Sequence, residues 1–371
     1  MTIQQIVNPA DIEKQLQQIW EGLVKENKMR ASLFNLIVYN QLSPRTDYIR
    51  NIVQKIIEKF PCRILFVSFD PDASQNYLKT AVSVVAPSGT ETAIACDNID
   101  IGVAGDNLQR VPFLLLPHII PDLPVYLLWA EDPSSEHALF QPLLSMADRV
   151  IFDSESADNL LSFAKTLLDL HTTQKIDIAD LNWARTEGWR DLLASTFDSE
   201  EKIAQLKSLK NLEISYNARE TEFFCHLKIQ SMYLLAWLSS QIGWKFLSSQ
   251  KNASELSFLF TVSGEPQTFH QESIFFIRSQ TWEKLGSGTI ISVNLESQDG
   301  HTYQCGRILQ QYHHVSIQIS MPCQCDLPYR FVLGQTATGQ SLVKEICTKG
   351  TSEHYVTMLK ELLLIDRDHL C

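Results

Sequence analysis

The sequence predicts a two-domain protein: an α/β domain built on a mixed, mainly parallel sheet covered by helices, then an α+β domain with an antiparallel sheet and helices. Three observations carry this. The chain has 371 residues, more than a single hydrophobic core usually fills. Through the first half, short apolar runs alternate with amphipathic stretches, as in strands buried on both faces between helices. Beyond residue 242 the pattern changes to short β-rich runs separated by Gly, Pro, Asp or Gln, the habit of an antiparallel meander.

Each element follows from local pattern. Ile12, Leu16, Ile19, Trp20, Leu23 and Val24 recur at helical spacing behind Pro9 and Asp11, which mark a helix start. Residues 33–39 read as a strand, 44–60 as a helix and 64–69 as a strand. Two β-like runs, 79–86 and 91–101, follow with no helix between them, and Pro87-Ser88-Gly89 is the turn signal of a hairpin. A helical stretch at 108–116, a strand at 125–129, a helix at 136–146, a strand at 149–152 and a helix at 157–170 complete the domain. The polar run His171-Thr172-Thr173-Gln174-Lys175 begins a linker, so the predicted domains are 1–172, Rossmann-like, and 173–371. In the second, 220–242 reads as a long buried helix. Strands are expected at 257–262, 273–277, 289–295, 303–309, 315–320 and 329–333, with closing helices at 339–347 and 352–364.

Composition excludes several classes. Apolar residues make up 44% and charged residues 20%, as in a soluble globular protein and unlike a disordered one. Forty-three acidic against thirty-one basic residues give a net charge of −12, which opposes nucleic acid and anionic lipid in the absence of a basic cluster. The start, Met1-Thr2-Ile3-Gln4-Gln5, lacks the basic and apolar regions of a secretory signal. The apolar stretch 111–129 is broken by Pro112, Pro117, His118, Pro121, Asp122 and Pro124, so it is no ordinary membrane span. Eight cysteines are too sparse for a disulfide scaffold and read as reduced thiols. The expected compartment is the cytoplasm.

Catalytic and cofactor signatures are missing from the sequence. A dinucleotide fold needs glycines where its first strand turns into a helix, because only bare backbone approaches a pyrophosphate closely; here that turn is Asn40-Gln41-Leu42-Ser43-Pro44. Gly286-Ser287-Gly288-Thr289 precedes a β-like run and reads as a hairpin turn. No Gly-x-Ser-x-Gly elbow or Walker-type loop is present. Glu131-Asp132 follows an apolar strand, where open α/β sheets place ligands, but a solvated loop before Pro133 is the preferred reading. Cys323 and Cys325, with Cys305, His301, His313 and His314 nearby, could bind zinc, yet structural zinc sites space their cysteines more widely. Catalytic residues, cofactor and metal are therefore all expected to be none.

Two groups of residues invite a binding role. Asn182, Trp183, Arg185, Trp189 and Arg190 crowd two tryptophans and two arginines into one short segment, the residue types that dominate interface energetics; pinning a linker to its own protein is the competing reading. Arg30, Ser32, Asn35 and Arg63 form the second group. Asn35 interrupts an apolar strand and must find hydrogen-bond partners if buried. A satisfied core network is preferred there, and a small anion held by Arg30 and Arg63 is the alternative.

The run Asp180-Leu181-Asn182-Trp183-Ala184-Arg185-Thr186-Glu187-Gly188-Trp189-Arg190, continuing to Asp198, resembles a distinctive stretch of OpcA, the glucose-6-phosphate dehydrogenase assembly protein family of bacteria. Further similar motifs occur in the family's order: Arg30-Ala31-Ser32 with Asn35-Leu36-Ile37-Val38, Pro61-Cys62-Arg63, Cys96-Asp97-Asn98-Ile99, Pro121-Asp122-Leu123-Pro124-Val125, Ala147-Asp148-Arg149-Val150-Ile151-Phe152-Asp153-Ser154, and Tyr233 to Trp244. They span residues 29–244; the remainder matches no family motif. The resemblance implies a non-catalytic partner that promotes assembly or activation of glucose-6-phosphate dehydrogenase in the oxidative pentose phosphate pathway. It also implies thiol control by thioredoxin in some photosynthetic members, but those cysteines do not map onto positions here, and terminal Cys371 is merely available. A sugar-phosphate or nucleotide-binding regulator and an undetected enzyme stay open as alternatives.

Overall fold

The computed structural model describes residues 5–24, 27–86, 94–224, 226–252, 255–263, 270–322, 324–334 and 340–365. The chain folds as two compact units interleaved in sequence. The first comprises Met1–Ala157, Asp169–Leu181 and Ala337–Thr351, and the second Asp158–Leu168, Asn182–Thr336 and Ser352–Cys371. The helices, in chain order, are α1 (Ile12–Val24), α2 (Arg45–Ile57), α3 (Val111–Leu115), α4 (Phe140–Leu144), α5 (Leu160–Thr172), α6 (Leu181–Arg185), α7 (Glu187–Thr196), α8 (Glu200–Lys207), α9 (Ile229–Ile242), α10 (Gln340–Cys347) and α11 (Glu353–Ile365).

The first unit is built on β1 (Gln5–Val7), β2 (Met29–Arg30), β3 (Asn35–Gln41), β4 (Arg63–Phe69), β5 (Tyr77–Val85), β6 (Ile94–Ala104), β7 (Val125–Trp129), β8 (Arg149–Phe152) and β9 (Asp177–Asp180). Their order is β1-β5-β6-β4-β3-β7-β8-β9, with β2 on β6. From β6 to β9 all neighbours are parallel, while β5 and β1 add antiparallel strands at one edge. The predicted mixed, mainly parallel sheet is the observed one. Its central strand is apolar on both faces, with Leu36, Ile37, Val38 and Tyr39 fully buried, as helices on both sides require. Successive strands move outward from β3 through β4 and then restart at β7 on the other side. That makes the carboxyl ends of β3 and β7 the topological switch point.

Departures from the predicted elements have local causes. The helix expected over 108–116 is split into a 3₁₀ segment, Gly105–Arg110, and the short α3, because Pro112 is tolerated only in a first helical turn. The helix expected over 136–146 contracts to α4, since His137 is held at the switch point instead. The hairpin turn expected at Pro87-Ser88-Gly89 lies outside the described residues. α10 joins the first unit although it lies far along the chain. Buried Arg149 of β8 draws it in, donating to Glu345 Oε2 at 2.9 Å and to the carbonyls of Thr348 and Gly350 at 2.7 and 2.8 Å. The Ile178 amide on edge strand β9 donates to Thr351 Oγ1 at 2.8 Å, satisfying a group that an edge leaves open.

The second unit has a sheet ordered β11 (Lys245–Lys251), β12 (Glu255–Ser263), β13 (His270–Gln280), β10 (Leu209–Asn217), β14 (Ile290–Ser297), β15 (Thr302–Ile308), β16 (Gln311–Met321) and β17 (Gln324–Cys325), with β18 (Tyr329–Val332) on β16. It is antiparallel except where β10 runs parallel to β13. Because β10 lies between β13 and β14, Gly286-Ser287-Gly288-Thr289 is not a hairpin turn but part of a crossing over β10. Asn217 fixes that crossing through Nδ2 to the carbonyls of Trp282 and Leu285 at 3.0 and 2.8 Å, and by accepting the Trp282 amide. α9 is buried nearly all round, packs on α11, and stops at Gly243, whose φ of 79° is the left-handed cap glycine supplies.

Candidate functional site

Ligands of open α/β sheets sit at the switch point, where this chain spends its donors on itself. The Gln41 amide donates to Glu131 Oε1 at 2.6 Å, the Leu42 amide to the Phe69 carbonyl at 2.7 Å and the Ser43 amide to Thr46 Oγ1 at 3.1 Å. A carboxylate of the chain therefore holds the first amide of the turn that would cradle a pyrophosphate. Beneath it, Tyr39 stacks on Trp129 with centroids 4.3 Å apart, and its hydroxyl hydrogen-bonds His137 Nε2. The Leu139 amide donates to His137 Nδ1 at 3.2 Å, which assigns the neutral ring's proton to Nε2 and makes the Tyr39 oxygen its acceptor. Burial, reinforced by the Glu131 charge, pushes the Tyr39 hydroxyl far above its ordinary pKa, and burial lowers that of His137. Glu131-Asp132 is not the solvated loop expected: Asp132 is buried, accepting the Ser134 amide and hydroxyl at 2.8 and 2.7 Å.

Arg30 and Arg63 meet, and what they hold is Asp97. This β6 carboxylate, fully buried, accepts Arg30 Nε and Nη2 at 3.0 and 2.6 Å, Arg63 Nε and Nη2 at 3.0 and 2.8 Å, and Trp20 Nε1 at 2.7 Å. Arg63 Nη1 also pairs with Glu13 Oε1 at 3.0 Å and donates to the His118 carbonyl at 2.8 Å. Hydrogen bonding from His118 and the Arg63 charge outweigh burial and hold the Glu13 carboxyl at a pKa of about 2. Asn35 stands apart from these residues, with Nδ2 donating to the Ile120 and Leu123 carbonyls at 3.1 and 3.3 Å and Oδ1 accepting the Ile120 amide at 2.8 Å. Ser32 is half-buried and is not part of either network. Asp97, Glu13 and His118 were not singled out from sequence. Two arginines beside buried strands required a carboxylate, and Asp97 lies in one of the family-like motifs.

The tryptophan and arginine segment packs inward. Trp183 and Trp189 are 5% and 1% exposed and Asn182 is fully buried, while Arg185 and Arg190 are half-buried. The Arg190 guanidinium lies 3.4 Å from the Trp183 ring centre, with Nη1 donating to the Trp183 carbonyl at 2.6 Å. Arg185 Nη1 donates to Asn182 Oδ1 at 2.8 Å. Trp183 packs on Tyr355 of α11 at 5.4 Å, and buried Arg307 lies 5.6 Å from the Trp189 ring. Cation–π stacking of this kind contributes roughly 1–2 kcal/mol where water is excluded, so the segment clamps α6, α7 and α11 together.

The cysteine and histidine group does not converge. Cys305 is buried, which pushes its thiol up to about 12, and Cys325 is exposed. His301 sits against Asp299 at 2.9 Å, and Cys323 lies outside the described residues. Among the described residues, no group of three or more His, Cys, Asp or Glu is placed to hold a metal ion.

Comparison with known proteins bears on identity. The chain is similar to KijD10, a 3-ketoreductase from Actinomadura kijaniata solved with TDP-benzene and NADP, at a TM-score of 0.50 and 8% identity over 90% of this chain and 96% of that one; a likeness this remote shows the fold alone. "Putative OxPP cycle protein OpcA" of Synechocystis sp. is 27% identical over 262 residues, 70% of this chain and 53% of that protein. Its namesake in Nostoc punctiforme is 28% identical over 219 residues, 58% of this chain and 44% of that protein. The chain thus spans about half the length of the curated relatives it matches. The family model described as the N-terminal domain of a glucose-6-phosphate dehydrogenase subunit matches residues 53–168, and that of the C-terminal domain matches 176–359. With both domain models matched in order along one sequence, the chain belongs to the OpcA family.

Proposed function

We propose that this chain is a non-catalytic assembly factor and allosteric activator of glucose-6-phosphate dehydrogenase in the oxidative pentose phosphate pathway, working in the cytoplasm. The observation that carries the non-catalytic part is the Glu131 carboxylate on the Gln41 amide. A dinucleotide pyrophosphate placed there would meet a negative charge and an occupied donor. Family membership supports that partner, since the matched models are described as domains of a glucose-6-phosphate dehydrogenase subunit. The absence of a helix long and apolar enough to cross a membrane among the described residues and the net charge of −12 agree with a protein partner in solution.

An activator works by binding the competent state of its target more tightly than the incompetent one. A coupling of about 1–3 kcal/mol changes affinity or active population about 5- to 150-fold. Asn182, Trp183, Arg185, Trp189 and Arg190 serve this role by holding α6, α7 and α11 as one rigid body, with the half-buried Arg185 and Arg190 at the dehydrogenase-facing surface. The test is to assay the cognate dehydrogenase across glucose 6-phosphate concentration with and without this protein. A fall in KM or a rise in kcat on mixing, with no turnover by the protein alone, is the expected result. Intrinsic turnover, or no effect on the dehydrogenase, overturns the proposal.

A further inference from the structure

Among the described residues, the connection from β4 to its parallel neighbour β6 contains no helix. It returns through β5 in the plane of the sheet, so the face that a crossover helix normally covers is left open beside α2. There lies a pocket of about 490 Å3, within the range of small-molecule sites. Its walls follow from register. Ile64 and Phe66 of β4 lie opposite Asn98 and Asp100 of β6, and Ser83 of β5 opposite Asn98. Arg50, Val53, Gln54 and Ile57 line the other side at i, i+3, i+4 and i+7, one face of α2.

The polar groups here are arranged but not exhausted. Arg50 lies over the Phe66 ring at 4.1 Å and is held by Asp100, Nη1 to Oδ1 at 2.7 Å. Asp100 Oδ2 takes Asn98 Nδ2 at 2.7 Å, and Asn98 Nδ2 also donates to Ser83 Oγ at 3.0 Å. Asp100 is therefore engaged through both oxygens. Arg50 Nε and Nη2 and the Gln54 side-chain amide keep donors without partners among the described residues, and both hydrogens of Asn98 Nδ2 are spent, leaving its Oδ1 as an acceptor. Spare donors around a fixed guanidinium favour an oxyanion, and a neighbouring acceptor favours a hydroxyl.

We infer that the pocket between α2 and the β4–β6–β5 face binds a small hydroxylated oxyanion, a sugar phosphate or a hydroxycarboxylate, with its anionic group on Arg50, a hydroxyl on Asn98 Oδ1 and its carbon skeleton against Ile64 and Phe66. This site is distinct from the Arg30 and Arg63 network, whose guanidiniums are taken by Asp97. It is independent of the proposed dehydrogenase partnership, because the ligand is read by this chain alone.

Calorimetric titration and thermal unfolding of the full chain, without dehydrogenase, test it with glucose 6-phosphate, gluconate and inorganic phosphate as probes. Saturable binding of glucose 6-phosphate or gluconate, at least tenfold tighter than inorganic phosphate, is expected; which of the two prevails decides between phosphate and carboxylate. Arg50→Gln should weaken that binding by about tenfold or more. Because it strands a largely buried Asp100, the double variant Arg50→Gln with Asp100→Asn is tested beside it, and should fold and still fail to bind. No saturable binding at millimolar probe, or binding that the double variant retains, overturns the assignment.

Discussion

Removing the Asp97 carboxylate should cost the first unit about 3–5 kcal/mol, most of it through Arg63. The two arginines do not share that cost equally. The Arg63 side chain is 6% exposed and that of Arg30 41%. Breaking a buried ion pair typically costs about 3–5 kcal/mol because the surviving charge is stranded, whereas a largely exposed pair is worth about 0–1 kcal/mol. In Asp97→Ala, Arg63 keeps the half-exposed Glu13 and the His118 carbonyl, and the Trp20 indole N–H loses its acceptor, which adds about 1–3 kcal/mol if it stays dry. These losses share one network and do not add in full. Arg30→Ala should therefore cost no more than about 1 kcal/mol, since Asp97 retains Arg63 and Trp20. Hydrogen exchange at the β4 and β6 amides reads local opening of this region without assuming that a two-unit chain unfolds in one step. The reasoning is wrong if Asp97→Ala costs under about 1 kcal/mol, or if Arg30→Ala costs as much. A further consequence separates core network from ligand site. Freed guanidiniums in Asp97→Ala should gain stabilisation by phosphate that the native protein does not show at this place.

Three other outcomes are expected. Glu13 has its carboxyl held at about 2 against an ordinary 4.5, so its contribution is fully present above about pH 4.5 and is lost as pH falls towards 2; Glu13→Gln should flatten that acid limb in unfolding measured from pH 5 to 2, by a small amount because the group is half exposed. The Trp189 indole N–H is buried without a hydrogen-bond partner among the described residues, so Trp189→Phe should cost markedly less in urea unfolding than Trp189→Ala, for which about 3–5 kcal/mol is expected; equal losses would mean an unrecognised polar contact. Cys325 is exposed, with hydrogen bonds from Ser320 and Gln318 lowering its thiol pKa, while burial raises Cys62, Cys96 and Cys305. Iodoacetamide at neutral pH should label Cys325 before Cys62, Cys96 and Cys305 by peptide mass spectrometry, and early labelling of Cys62 or Cys96 would contradict the burial argument.

The sequence disclosed what depends on local pattern and hid what depends on pairing. Residues 125–129 and 149–152 coincide with β7 and β8 because short, mostly apolar runs between turns suit buried strands in such a domain. β10 escaped notice since Lys210, Asn211 and Glu213 dilute its apolar residues, although it occupies the centre of the second sheet, and without it the six recognised runs read as a simple meander. The opposite error enlarged α9. Leu227 and Phe223 continue a helical apolar spacing before Ile229, but the chain there forms a Thr221–Phe224 bridge. The functional residues divide in the same way. Arg30 and Arg63 stand out by type, yet Asp97 is identified as their partner only when β4 and β6 pair in register. Likewise nothing in Glu131-Asp132 alone says that the first carboxylate reaches the Gln41 amide ninety residues earlier.

Those pairings share a logic that bears on where a ligand can act. At the switch point the Gln41 amide is met by Glu131; in the β4–β6 core Arg30 and Arg63 are met by Asp97; in the second unit Arg190 is met by the face and carbonyl of Trp183. Each is a place where donor chemistry suggests binding, and each is closed by a group of the chain itself. Displacing such an internal partner requires a ligand to repay its desolvation before gaining anything. The α2 face differs because its orienting contacts leave donors and an acceptor over. Asp100 fixes Arg50 without exhausting it, and the return through β5 in the plane of the sheet leaves an opening beside it. A ligand there adds to the network without breaking it, so binding of a small molecule is favoured at this face over the switch point that the fold would first suggest.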